Sequence, residues 1–276
     1  MDKYELIDQK KTVMNGVVLH RIRALKSFIP YGMKEVQEGY LGGWVESERN
    51  LSQDGDAWID CDAEVFDNAR VSGNARVYGY AHVFGDVEVF GNAQVFGNAI
   101  IRGNARVFGN AQVCGDAQVF GDAAVCGDAT VSGYARVYEN AQVCDTARID
   151  NNAHIHERAA IFGEARIFGN AIVSGDVEVC GNAHVFGDAQ VCGDAHIASN
   201  ARISRTSHVL HIGPFGSFNE YITFYEAKYG RIEVKFGQFN DNIDEFLKHV
   251  DRKNGLLKAG VYRLAAECAI HQIMSD

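Results

Sequence analysis

The sequence predicts a mainly β protein built on a three-sided parallel solenoid with eighteen residues to the coil. Two observations carry that prediction. Stepping by six from Ile59 to Val209, all 26 positions are Val or Ile. Ala stands two residues before nearly every one, with Val87, Val177 and Ser207 as departures, and Gly followed by Asn or Asp usually precedes that Ala. The register also never slips: GNAQVFGNAIIRGNARVF (91–108) is typical of the whole span 55–209.

Each six-residue unit is too short for a helical turn pattern and alternates with period two. Ala and Val/Ile therefore share one side and the two intervening residues share the other. Glycine supplies a corner in left-handed backbone, with Asn and Asp next best, and β-branched residues suit the stacked strands. Three units close a triangle and place residue n over residue n+18. No proline occurs between Pro30 and Pro214, as expected where every strand donates to a neighbour.

A solenoid needs capped ends. Residues 1–54 read as an N-terminal β cap: YELI and VVLHRIRAL are strand-like and meet through Asn15-Gly16, a hairpin signal. IPYGMKEVQEGYLGG (29–43) reads as a loop leading to Trp44. Residues 55–209 are the solenoid. Residues 210–276 change character and read as a small α+β domain. HIGPFGSFNEY reads as a loop, ITFYEA and RIEVKF as strands about Tyr229-Gly230, and NIDEFLKHV and LKAGVYRLAAECAIHQI as helices, with Asn242 as N-cap of the first.

The repeat resembles the hexapeptide-repeat family, which implies a left-handed parallel β-helix. GGWVESERNLSQDGDAWI (42–59) resembles the opening segment of YdcK-like proteins, and residues 210–276 resemble modules attached to repeat proteins of phages and mobile elements. Some hexapeptide-repeat relatives are acyltransferases with a catalytic His near a loop extruded at a subunit boundary. The unbroken register here leaves no such loop, so a trimeric acyltransferase and a purely structural protein stand as alternatives to a non-catalytic binding scaffold. No cofactor is specified.

Net charge is −10, and the excess lies almost wholly in the repeat. That balance excludes non-specific binding to nucleic-acid duplexes, which needs Lys and Arg against phosphate. The N-terminus carries charges where a signal peptide needs an apolar run, and no stretch reaches membrane-spanning length. Seven cysteines without a CxxC pair suggest a cytoplasmic protein with reduced thiols, although Cys126 and Cys144 stack within disulfide reach.

Three features of the outer surface point to function. Rings stack on neighbouring coils, Phe66 over Phe84, Phe90 over Phe108, Phe120 over Tyr138, Tyr78 over Phe96 and Phe168 over Phe186. Such ladders stabilise strands by about 0.2–1 kcal/mol a pair, and exposed rings favour a homo-oligomer. One column, Arg76, Gln94, Gln112, Thr130, Arg148, Arg166, His184, Arg202, contains no carboxylate. Arg148, Arg166, His184 and Arg202 are the candidate ligand-binding residues, suited to a small anion or nucleotide by bidentate hydrogen bonding and stacking. Four successive corners between 139 and 158 lack glycine. There His154, His156, Glu139 and Glu157 form a candidate zinc set, with Arg158 as the plainer device for easing Glu–Glu repulsion. The expected function is a non-catalytic oligomeric binding scaffold, of a phage type that sequesters a host molecule such as a nucleotide signal.

Overall fold

The computed structural model describes residues 2–13, 16–32, 34–215, 220–253 and 256–275. They form two compact units, residues 1–151 and 152–276, whose boundary falls within the stretch of corners that lack glycine. Asn15 of the expected hairpin and residues 216–219 of GPFGSFN lie outside the described residues.

In the first unit, antiparallel strands Tyr4–Thr12 and Val18–Ala24 pair, and the second pairs antiparallel with Leu41–Val45. Leu41–Val45 then pairs in parallel with Glu64–Val65, so one strand joins the cap to the solenoid sheet. The segment LGG is thus strand rather than loop. The two glycines before Trp44 are needed for close approach. A Cβ on Gly42 would lie 2.6 Å from the Ile59 carbonyl oxygen and from the Trp58 ring, and one on Gly43 2.6 Å from Ile59 Cγ2. The cap is pinned by Tyr4, whose buried hydroxyl donates to the Leu51 carbonyl at 2.6 Å, and by Lys3, which donates to the Gly55 carbonyl at 3.2 Å.

From Trp58 the chain winds through two-residue strands in three parallel sheets. Gln94 pairs with Arg76 and Gln112, Ile100 with His82 and Gln118, and Arg106 with Glu88 and Ala124. The eighteen-residue step is therefore the observed one. Val65, Val77, Val95 and Ile101 are fully buried, as are Ala63, Ala75 and Ala93, so the lumen is aliphatic and the aromatic rings face out. All four predicted ring pairs of this unit are stacked, with centroids 4.8–5.0 Å apart.

One corner carries a side-chain ladder: Asn74 donates to Asn92, Asn92 to Asn110 and Asn110 to Asp128, at 3.0, 2.9 and 2.7 Å. Each Asn both accepts and donates, whereas a carboxylate only accepts. The letters N, N, N, D at an eighteen-residue spacing thus spell a directional chain with an accepting end.

The corners without glycine keep the backbone of the others. Glu139, Asp145, Asn151 and Glu157 all have φ of 57–58°, in the left-handed region. Cys126 and Cys144 are joined in a disulfide with Cα atoms 4.6 Å apart, which corrects the expectation that both are reduced thiols. The pairing register that stacks n on n+18 is what brings the two sulfurs together.

In the second unit the coils continue from His154 to Ile203 with the same pairing, Arg166 to His184 and His184 to Arg202 among them. A four-stranded antiparallel sheet follows, Val209–Phe215, Glu220–Ala227, Arg231–Phe236 and Phe239–Asn242. HIGPF is therefore strand, not loop. It is the edge strand, where the missing N–H of Pro214 costs no ladder bond. Helices Ile243–Lys253 and Leu256–Met274 pack on this sheet around Ile222, Phe224, Val234, Phe246, Val250 and Ala269. Asn242 caps the first helix as expected, its Oδ1 accepting from the Glu245 N–H at 3.0 Å. The sheet meets the last coil through the bridge Ala201–Ala227 and the Lys228 N–H on the Asn200 carbonyl, 3.1 Å.

Candidate functional site

The polar column at the outer end of each Arg-bearing strand follows from period-two alternation, which turns the residue before each Val or Ile to solvent. In the first unit the column begins with Arg76, which is buried, and its guanidinium lies 4.2 Å from the centroid of the Tyr78 ring. Its Nη1 donates to the Gly32 carbonyl at 3.3 Å, so this arginine is engaged by the cap. Burial pushes its pKa down. Arg148 is the last arginine of the column in this unit, exposed and paired in register with Thr130.

The second unit brings three of the four candidate ligand residues together. Arg166, His184 and Arg202 stand on three successive paired strands. Beside them Phe168 and Phe186 stack at 5.2 Å, and the His184 ring meets Phe168 edge-on at 6.1 Å. Arg202 Nη1 donates to the carbonyls of Asn182 and Ala201, 3.3 Å each, which holds its planar fork against the coil. Burial first, and then the charges of Arg202 and Arg166, hold His184 below the usual histidine range, so its imidazole is neutral at neutral pH.

Other arginines here are neutralised: Arg106 by Glu88, Arg158 by Asp176, Arg23 by Glu5 and Arg263 by Asp251. Among the described residues, no carboxylate forms an ion pair with Arg148, Arg166 or Arg202. Two guanidinium groups flank a half-buried imidazole beside an aromatic pair, with no acid to compensate. That arrangement can take an anionic oxygen cluster by charge-assisted hydrogen bonds and a planar ring by stacking.

The four members of the zinc set divide between the units. Glu139 is at a corner of the first, and His154, His156 and Glu157 follow one another on one strand and corner of the second. Among the described residues no group of three or more His, Cys, Asp or Glu side chains gathers in a way that could hold a metal ion. Arg158 makes a two-pronged bond to the Asp176 carboxylate on the next coil. Sequence reasoning did not single out Asp176, although the eighteen-residue step places it there.

Three stretches of the chain, residues 65–85, 123–139 and 165–181, match the YdcK beta solenoid repeat family. The third contains Arg166 and Phe168 and ends before His184. The match is to the repeat and so speaks to the frame rather than to any ligand. No curated protein matches the chain.

Proposed function

We propose that this chain, which carries YdcK-type β-solenoid repeats, is an oligomeric binding scaffold whose Arg166–His184–Arg202 column holds a small phosphate-bearing ligand. The observation that supports it is a run of three donor side chains in strand register without an acidic partner, in a protein of net charge −10. Stacked Phe168 and Phe186 beside the column favour a nucleotide over a bare anion. Oligomerisation is supported by apolar groups left at the surface, Tyr80 and Tyr134 at solenoid corners and Val261 and Leu264 on the C-terminal helix, each more than half exposed. In its finer form the proposal is a phage-type protein that removes a host nucleotide signal from circulation by holding it unchanged.

Calorimetric titration of the full chain with adenosine monophosphate and with inorganic phosphate tests the site. The nucleotide should bind more tightly than phosphate, and Arg166→Ala should weaken it about 10–100-fold, the worth of one charge-assisted pair. Arg148→Ala, measured separately, shows whether the first unit contributes. Undiminished nucleotide binding by an Arg166→Ala/Arg202→Ala double variant would overturn the assignment, as would no binding by the native chain. Sedimentation velocity checks the oligomer.

A further inference from the structure

A different face of the second unit carries a constellation that the anion column does not use. Glu178 opens the two-residue strand Glu178–Val179 and Cys180 follows it directly, so the two stand on either side of Val179, whose side chain is buried in the lumen. Period-two alternation therefore turns both outward. One coil further on, His196 pairs in register with Glu178 and Ile197 with Val179. The imidazole bridges the two: Nδ1 is 2.8 Å from Glu178 Oε2, and Nε2 is 3.9 Å from Cys180 Sγ. With Glu178 ionised, Nδ1 carries the proton and donates it to the carboxylate. Nε2 is left as the acceptor facing the thiol.

The C-terminal sheet steadies this arrangement. The His196 backbone N–H donates to Thr223 Oγ1 at 3.1 Å, and Thr223 is itself buried and bonded to His211 Nδ1 at 2.9 Å. Phe162 and Ala198 hold the positions one coil before and one coil after Cys180, giving the thiol apolar neighbours in the register. Of the thiols in the same column, Cys126 and Cys144 are joined to each other, whereas Cys180 is free.

We propose that Cys180, His196 and Glu178 form a nucleophilic thiol site for carboxylic esters with a good leaving group. As Sγ attacks the carbonyl carbon, its proton passes to His196 Nε2 and the new S–C bond forms. The imidazolium then returns that proton to the departing oxygen as the C–O bond breaks, leaving an acyl-cysteine and a free alcohol or phenol. Water deprotonated by the same nitrogen closes the cycle by releasing the acid and restoring the thiol. Glu178 positions the ring and stabilises its charged form without touching the substrate.

The local electrostatics explain why a base is needed. Burial and the Glu178 carboxylate push the Cys180 pKa up, while Lys235 from the C-terminal sheet opposes them. The resting thiol is thus protonated, and its reactivity depends on proton transfer to His196 during attack.

The site is independent of the proposed anion column and can fail without it. The test is brief treatment of the full chain with p-nitrophenyl acetate, followed by peptide mass mapping of every cysteine. Cys180 should be acetylated at least about tenfold faster than Cys192 and Cys268, although both of those are more exposed. His196→Asn should slow Cys180 labelling about 100-fold, the low end of general-base contributions. Glu178→Gln should slow it less and leave the labelling of Cys192 unchanged. Native Cys180 labelled no faster than Cys192 overturns the proposal without recourse to any variant. Equal labelling in folded His196→Asn overturns the role of the imidazole.

Discussion

Replacing Gly97 by Ala tests the physics of the solenoid corner at one methyl group. Gly97 has φ of +72°, and an added Cβ would lie 2.9 Å from both the N and the O of Gly115 on the next coil. An L-residue in the left-handed region costs about 1–2 kcal/mol. Contact this short with backbone, which cannot rotate away, adds about 1–3 kcal/mol of overpacking. The lower entropy of the unfolded alanine variant returns about 0.4–1 kcal/mol. The net loss is about 1–5 kcal/mol, with the ladder bonds Tyr80 N–H to the Gly97 carbonyl and Asn98 N–H to the Gly115 carbonyl, 2.8 and 2.7 Å, stretched first. The reverse change, Glu139→Gly at φ of +58°, relieves about 1–2 kcal/mol of backbone strain and gives up about 0.4–1 kcal/mol of unfolded-state entropy, so it should leave stability unchanged or raise it by up to about 1.6 kcal/mol. Urea unfolding followed by circular dichroism gives the ordering, and amide exchange at Tyr80 and Asn98 gives its location. The reasoning is refuted if Gly97→Ala unfolds with the native protein, or if Glu139→Gly is the more damaging of the two.

Three further outcomes follow from the geometry. Burial pushes the Lys3 pKa down to about 8 from 10.5, so the unfolded chain holds this proton more firmly than the folded one. Between those values folded stability should rise with pH relative to Lys3→Met, by up to about 3 kcal/mol, and parallel stability–pH profiles would refute it. Asn92→Ala removes one link of the corner ladder at both its accepting and donating ends and should cost about 1–2 kcal/mol in urea unfolding, whereas Asn98→Ala breaks the single bond that its amide donates to Asp116 and should cost about half as much. Thiol titration of denatured, unreduced protein should find five reactive cysteines rather than seven, and Cys144→Ser should destabilise by about 3 kcal/mol through the eighteen-residue loop it opens.

The frame was legible because its code is local and repeated. Val or Ile every sixth residue, Ala before it and Gly at the corner force three short faces whatever the rest of the chain does, and they fix which side chains stack. For that reason the five ring pairs and the Arg166–His184–Arg202 register could be read without coordinates. Reading failed where partners come from outside the repeat or diagonally across it. Nothing in the spacing said that Arg76 would be covered by the Gly32 loop or that residues 209–215 would form an edge strand. The Cys180–His196–Glu178 cluster escaped for the same reason, since it joins i to i+2 on one coil and then to i+18 on the next.

What the sequence settled by itself, then, is the step, the lumen and the residues that share a column, because steric rules at each corner leave the backbone one path. Tertiary structure alone decided which of those columns are neutralised, which thiols are joined and which imidazole meets a carboxylate. Those outcomes depend on rotamer direction and burial, quantities that a one-dimensional period does not encode.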